Sequence, residues 1–339
     1  MSSLDNLWQV CNGQNNFNKF SIALFDQHFL DFYFSPAWSI EKIKRALALN
    51  LSENNPNNNC WKIYSLTIRE FDFTNYVNSC NRDQHGKLDL KNDEQIVAFY
   101  DSLNKVFRVY DFVNKRAVII IQEDYIFNEW ELHSPLREFF HIWALKNNAL
   151  LIHSGIVSKN GVAILLPGAG GSGKSTTTIS CLQHNLQTTG DDYNLIFKTE
   201  ASFKVCTLYS NVKLKNPKPQ RKSFDFPIMQ GWESENLEYA EKTIFYPPLN
   251  STIWDKSNPK LTGILCPYIA SPQPVQPEII TMKSVELINR LAVSSIMQSP
   301  FMAKEYLAMS VALAKQMKIA YLHLSTDIKA NVECIEEWL

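Results

Sequence analysis

The eight residues Gly168-Ala169-Gly170-Gly171-Ser172-Gly173-Lys174-Ser175 constrain this chain more than any other stretch. They fit G-x-x-x-x-G-K-[ST], a loop whose backbone N–H groups wrap an anion. Glycine lets the main chain turn sharply and approach a polyanion with no Cβ in the way. Such a loop works only between a strand and a helix, and both neighbours are legible. Gly161 to Leu166 is an apolar run of strand length, and Ser175 to Gln183 sets Ile179 and Leu182 on one helical face. The helix start adds orphan N–H groups and the positive end of its dipole. The pattern predicts a nucleoside-triphosphate site, with Gly168, Gly170, Gly171, Ser172, Gly173, Lys174, Ser175 and Thr176 around the phosphates. Lys174 is expected at the β/γ-phosphates and the Ser175 hydroxyl on Mg²⁺, so ATP and Mg²⁺ are the implied ligands.

The flanking residues carry further chemistry. Ala149 to Ser158 reads as a strand, Asn160-Gly161 as a tight hairpin turn, and Val162 to Leu166 as the returning strand. With residues 159 and 162 opposed, paired numbers sum to about 321, which sets His153 across from Gly168. An imidazole there has two readings, a proton relay or phosphate contact and a plain ladder position. After the loop helix, Asp191-Asp192 precede the apolar strand Tyr193 to Phe197. Read alone, Gly190-Asp191-Asp192 is a turn. Beside bound phosphates, two adjacent carboxylates repel, which raises the proton affinity of at least one. That suits one acid for Mg²⁺ and one for accepting a hydroxyl proton.

The remaining sequence bounds the class. With 339 residues, 45% of them apolar, the chain can build two domains. Net charge is −1, so no global basic field invites nucleic acid. No apolar run has the length of a membrane span, and Met1 to Asn18 lacks the order of a secretory signal. Seven scattered cysteines, without a C-x-x-C pair, suggest reduced thiols and a cytoplasmic protein. Residues 1–131 read as a β-rich α+β module, a candidate for substrate recognition. It has strands within Phe20 to Phe34, a helix over Ile40 to Leu51 capped by Ser39, a strand over Trp61 to Phe73, an irregular Asn75 to Asp93, and a hairpin of Phe107 to Phe112 with Ala117 to Ile121. His28 and His85 have no partner suggesting a metal.

Residues 132–339 then form the second domain. Ser134-Pro135 is expected to start a helix that runs to Asn147, with Ser134 as its cap. Lys213, Lys215, Lys218, Arg221 and Lys222 form a basic stretch, read as a solvated loop or a clamp on phosphate or acidic peptide. Phe224 to Asn258 reads as a loop with aromatics, a candidate substrate lid. Glu278 to Met282 is strand-like. Helices are expected over Ser284 to Gln298 and Pro300 to Lys318, with Leu287, Leu291, Met302, Leu307, Val311 and Leu313 inward. Arg290 is read as facing a phosphate or lying at a rim. A strand over Ala320 to Leu324 and a helix over Ile328 to Leu339 close the chain.

Ile152-His153, the glycine loop and Asp191-Asp192 together resemble the catalytic domain of HPr kinase/phosphorylase and its wider group of HPr-kinase-like proteins. There a histidine precedes the loop lysine by about the 21 residues separating 153 from 174, and an aspartate pair follows by about the 18 separating 174 from 192. The resemblance covers Leu150 to the C-terminus and is strongest over Leu150 to Phe197. It implies an α/β fold with a mixed sheet, a P-loop kinase core like that of phosphoenolpyruvate carboxykinase. It further implies Asp192 as the base deprotonating a serine hydroxyl, Asp191 and Ser175 near Mg²⁺, His153 assisting, and a homo-oligomer. Ala169 and Thr176 stand where HPr kinases proper carry acidic residues. This likens the chain to a divergent branch, some of whose members phosphorylate serine on small peptides such as lasso precursors. The expected activity is a serine kinase acting on a peptide or protein. A kinase of a free small-molecule hydroxyl and a non-catalytic nucleotide sensor stay open.

Overall fold

A computed structural model of the chain describes residues 3–25, 27–53, 60–90, 95–216, 226–237, 241–295 and 302–339. The chain divides into two compact units, Met1–Leu132 and His133–Leu339. Both are mixed α/β structures with mixed sheets.

The first unit comprises α1 (Ser3–Gly13), β1 (Asn18–Leu24), β2 (His28–Phe34), α2 (Ile40–Ala46), β3 (Leu51–Ser52), β4 (Trp61–Thr67), α3 (Thr74–Ser79), β5 (Ile96–Asp101), β6 (Val106–Asp111) and β7 (Arg116–Ile121). Its sheet runs β3-β1-β2-β4-β7-β6-β5, parallel only where β2 meets β4 and β4 meets β7. Period-two alternation buries Leu30, Phe32 and Phe34 of β2 on one face. Leu7, Trp8 and Cys11 of α1 and Val77 of α3 pack with Leu66, Val109 and Ile120.

A short helix, α4 (Glu129–His133), runs across the boundary in sequence. The second unit then holds α5 (Arg137–Lys146), β8 (Ala149–Lys159), β9 (Val162–Pro167), α6 (Lys174–Gln183), β10 (Tyr193–Lys198), β11 (Phe203–Cys206), β12 (Val212–Lys215), β13 (Glu233–Leu237), β14 (Lys242–Tyr246), β15 (Lys260–Tyr268), β16 (Glu278–Thr281), α7 (Ser284–Ser295), α8 (Ala303–Gln316), β17 (Lys318–His323) and α9 (Ile328–Glu336). The main sheet runs β11-β10-β8-β9-β15-β17-β16, and β11 also pairs with β15. Strands β9, β15 and β17 are mutually parallel, while β8 runs against β9 and β10 against β8. Helices cover both faces, because the buried strands are apolar on both. Leu287, Leu291 and Leu313 of α7 and α8 pack on Leu165 and Ile264. Cys181 of α6 and Val332 and Ile335 of α9 pack on Ile164, Leu166 and Leu265. A small sheet, β12-β14-β13, lies within the same unit.

The hairpin register follows the sum of 321, from Lys159 opposite Val162 to Ser154 opposite Pro167. Asn160 and Gly161 both take positive φ, 52° and 77°, as a tight primed turn requires. Elsewhere the structure departs from the sequence reading. Helix α2 stops at Ala46 and passes through a 3₁₀ turn at Ala48–Asn50, and Ser39 makes no side-chain cap. Strand β4 ends at Thr67, not Phe73, and α3 occupies part of the expected irregular segment. Helix α1 and strand β5 are absent from that reading. Phe224 to Asn258 is not one loop, since its described part contributes β13 and β14. Leu307 of α8 is 44% exposed instead of inward. Arg290 lies with its guanidinium 4.9 Å from the Tyr321 ring centroid, a cation–π contact. Of the basic stretch, Lys218, Arg221 and Lys222 lie outside the described residues. Among the described residues no helix is long and apolar enough to cross a membrane.

Leu165 is fully buried in the main core, whereas Val275 is 84% exposed. Leu165→Ala should therefore destabilise the second unit by about 2–5 kcal/mol, and Val275→Ala by no more than about 0.5 kcal/mol. Urea titration of both variants checks this, and equal effects would contradict the core assignment.

Candidate active site

The glycine loop leaves the carboxyl end of β9, where the parallel strands β15 and β17 also end. Open α/β sheets leave a crevice for ligands at this edge. A Cβ on Gly173 would meet Leu324 Cδ1 at 2.5 Å, and one on Gly168 would meet Ser172 Oγ at 2.5 Å. Gly173 also has φ 100°, a conformation open chiefly to glycine. At Gly170 and Gly171, by contrast, a Cβ would meet nothing within 4 Å. The loop thus packs tightly at its two ends and presents bare backbone to open space between them. Helix α6 begins at Lys174, so the orphan N–H groups of its first turn lie at the same place. Lys174 is 6% exposed, and its Nζ donates to the carbonyls of Gly168 (2.7 Å) and Ala169 (3.1 Å). Burial lowers its proton affinity, and Asp191 and Asp192 pull it back up.

The two aspartates reach this lysine through β8. Asp192 O accepts from Ser154 N and Gly190 O from Ile156 N, which continues the β8–β10 pairing past Tyr193 and His153. Opposite Asp191 stands Gly155, where a Cβ would lie 3.5 Å from Asp191 Oδ1 and collide with Thr178 of α6. The missing side chain lets Thr178, and with it α6, pack close against β8 beside the acid. Asp191 is buried, and its Oδ2 accepts from the Lys213 backbone N–H at 3.2 Å. Its Oδ1 is buried with no hydrogen-bond partner. Burial pushes its carboxyl up to about 7, against the Ser175 hydroxyl and the Lys213 N–H, which hold it down. Repulsion from Asp192 adds a smaller upward push, so the expected repulsion is present but secondary.

Asp192 is engaged on both oxygens. Oδ2 takes Lys213 Nζ at 2.5 Å and Ser134 Oγ at 2.7 Å, and Oδ1 lies 3.3 Å from His153 Nε2. Burial alone would raise its pKa, but Lys213 and His153 together hold it well below the ordinary carboxylate range. His153 stacks on Tyr193, 5.0 Å between centroids, and Arg137 in turn donates to the Tyr193 hydroxyl at 3.1 Å. Burial lowers the proton affinity of His153, more than Asp192 raises it, so the imidazole is neutral at pH 7.

Two of these residues have other roles in the sequence reading. Lys213 is 8% exposed on β12, not in a solvated loop. Its backbone N–H holds Asp191 and its ammonium holds Asp192 and Ser134. Ser134 is not a helix cap, because α5 begins at Arg137 behind Leu136 at φ 56°. Its neighbours fix it instead. The carbonyl of His133 accepts from Asn211 Nδ2 (2.7 Å) and that of Pro135 from the Tyr209 hydroxyl (2.8 Å). The basic stretch offers Lys213 a solvated place or a hold on phosphate or acidic peptide, not a bond to Asp192, and Ser134 reads in the sequence only as a cap.

The donor set suits a magnesium nucleotide. A hard cation bound with phosphates needs only one or two carboxylates plus a hydroxyl, and the buried Asp191 carboxyl, with one oxygen unpartnered and the Ser175 hydroxyl beside it, offers them. Among the described residues no group of three or more His, Cys, Asp or Glu side chains could hold a metal by itself. No protein-family model matches the chain, and no curated protein matches it significantly.

Asp191 supplies a pH test. Its folded pKa of about 7 exceeds the unfolded 3.8, so the folded state binds the extra proton in between. Its contribution to stability thus declines as pH rises from 3.8 to about 7 and is flat above. Asp191→Asn should remove this decline, so its stability relative to wild type should grow across that window. Urea midpoints measured for both proteins through it check the sign; a constant difference would contradict the raised pKa. His153 acts oppositely below 6.5 in both proteins, so the difference isolates Asp191.

Proposed function

We propose that the chain is an ATP- and Mg²⁺-dependent phosphotransferase acting on a hydroxyl, a serine of a peptide or protein. The finer fold we infer with it is a P-loop kinase core of the phosphoenolpyruvate carboxykinase and HPr kinase type. One observation carries the reading: the loop lysine lies within the field of both acids ahead of β10, and Ser175, next to it in the loop, bonds one of them, Asp191. A bare Gly/Ser linker or a simple turn would leave these groups apart.

The roles follow from the chemistry. Backbone N–H groups from Gly170 to Thr176 and the Lys174 ammonium hold the phosphates and neutralise charge that grows during transfer. Ser175 and Asp191 would hold the metal. Mg²⁺ bound there would supply positive charge against the charge that grows on the phosphates. Lys174 and Lys213 already balance Asp191 and Asp192, so a triphosphate needs that added positive charge. The acceptor hydroxyl loses its proton to the His153–Asp192 pair, its oxygen bonds to the γ-phosphorus, and ADP departs with the electrons of the broken P–O bond.

Lys174→Ala should weaken ATP binding at least about tenfold, roughly 1.4 kcal/mol, measured calorimetrically with Mg²⁺ present. Unchanged affinity would contradict the phosphate assignment. Incubation with γ-labelled ATP and serine-bearing peptides should yield labelled peptide; nucleotide binding with no labelled acceptor of any kind would contradict the kinase reading.

A further inference from the structure

The two members of the His153–Asp192 pair are not equivalent. Asp192 has one oxygen filled by Lys213 and Ser134 and the other facing His153. Its side chain is 10% exposed, against 28% for His153. An incoming hydroxyl therefore meets imidazole before it meets carboxylate. The contact with Asp192 uses Nε2, and a neutral imidazole that donates from Nε2 keeps its lone pair on Nδ1. That nitrogen makes no hydrogen bond among the described residues.

We propose that His153 Nδ1, and neither aspartate, takes the proton of the acceptor hydroxyl, with Asp192 as the orienting carboxylate clamped by Lys213 and Ser134. The assignment rests on the phosphotransferase reading and deepens it. The hydroxyl proton moves to Nδ1 as the oxygen bonds to the γ-phosphorus and the bond to ADP breaks. The imidazolium so formed is stabilised by the adjacent carboxylate and then releases its proton to solvent. Asp192 touches no reacting atom, and its work is to fix the ring and its tautomer. Lys213 and Ser134 are positioning residues one step further out. Tyr193 fixes the ring plane by stacking, itself held by Arg137. The groups that act on His153 are Asp192 and Tyr193 beside β10, Lys174 on α6 and Lys242 on β14. Burial and the two lysines keep the imidazole neutral and able to accept a proton near neutral pH.

Two measurements test the assignment. In the ligand-free protein, long-range ¹H–¹⁵N spectra of the imidazole should give the Nε2–H tautomer in wild type and a mixed tautomer in Asp192→Asn; an Nδ1–H tautomer in wild type overturns the proposal. In turnover, His153→Gln should keep ATP affinity and lose about a hundred- to ten-thousandfold in kcat. The fall in kcat on the acid side, below 6.5 in wild type, should vanish with it. Lys213→Met should lower kcat without changing KM for ATP, and Lys213→Arg should restore part of it. Transfer that is as fast in His153→Gln as in wild type overturns this assignment alone. Absence of transfer from wild type that still binds ATP overturns the kinase reading and this assignment together.

Discussion

The site depends on one buried lysine that serves two acids with two different groups. The main-chain N–H of Lys213 caps Asp191, and its ammonium binds Asp192 and Ser134. Burying adjacent carboxylates is unfavourable unless each finds donors, and removing one partner of such a set costs about 3–5 kcal/mol. Here both groups of Lys213 come from a strand that also pairs with β14, so the backbone ladder fixes the N–H on Asp191 and the root of the side chain that reaches Asp192. The division of labour separates the acids chemically. Asp192 is satisfied and stays ionised, while Asp191 keeps an orphan oxygen and a raised proton affinity. A cation arriving beside Ser175 would meet the second acid and find the first already neutralised.

The loop shows the complementary arrangement. Lys174 is buried, and a buried ammonium without acceptors is unfavourable, so it turns onto the carbonyls of Gly168 and Ala169. Those are neutral acceptors. Phosphate oxygens make stronger, charge-assisted bonds, so a nucleotide can win the lysine from its own loop. Gly170 and Gly171 leave that path clear, while the packing of Gly168 on Ser172 and of Gly173 on Leu324 keeps the loop's ends fixed.

Local signals were legible and tertiary ones were not. The glycine loop, the Asn160-Gly161 turn and the register of β8 with β9 follow from short-range chemistry, and the structure has them where the sequence set them. The paired acids ahead of β10 were visible as residues, and their approach to Lys174 follows from the β8 ladder and the gap at Gly155. Lys213 and Ser134 lie 21 and 58 residues from Asp192, and only folding brings them there. Lysine in a basic stretch and serine before proline both suggest commoner roles, solvent and cap. Helix α1 was missed although Leu4, Leu7, Trp8 and Cys11 recur at helical spacing, and the surface that buries them is a sheet formed later in the chain.

The most direct test is a crystal structure with Mg²⁺ and a non-hydrolysable ATP analogue. The account predicts Lys174 Nζ released from the Gly168 and Ala169 carbonyls onto β- and γ-phosphate oxygens, with Asp191 turned to the metal. A nucleotide bound elsewhere, with Lys174 still on its own loop, would contradict it.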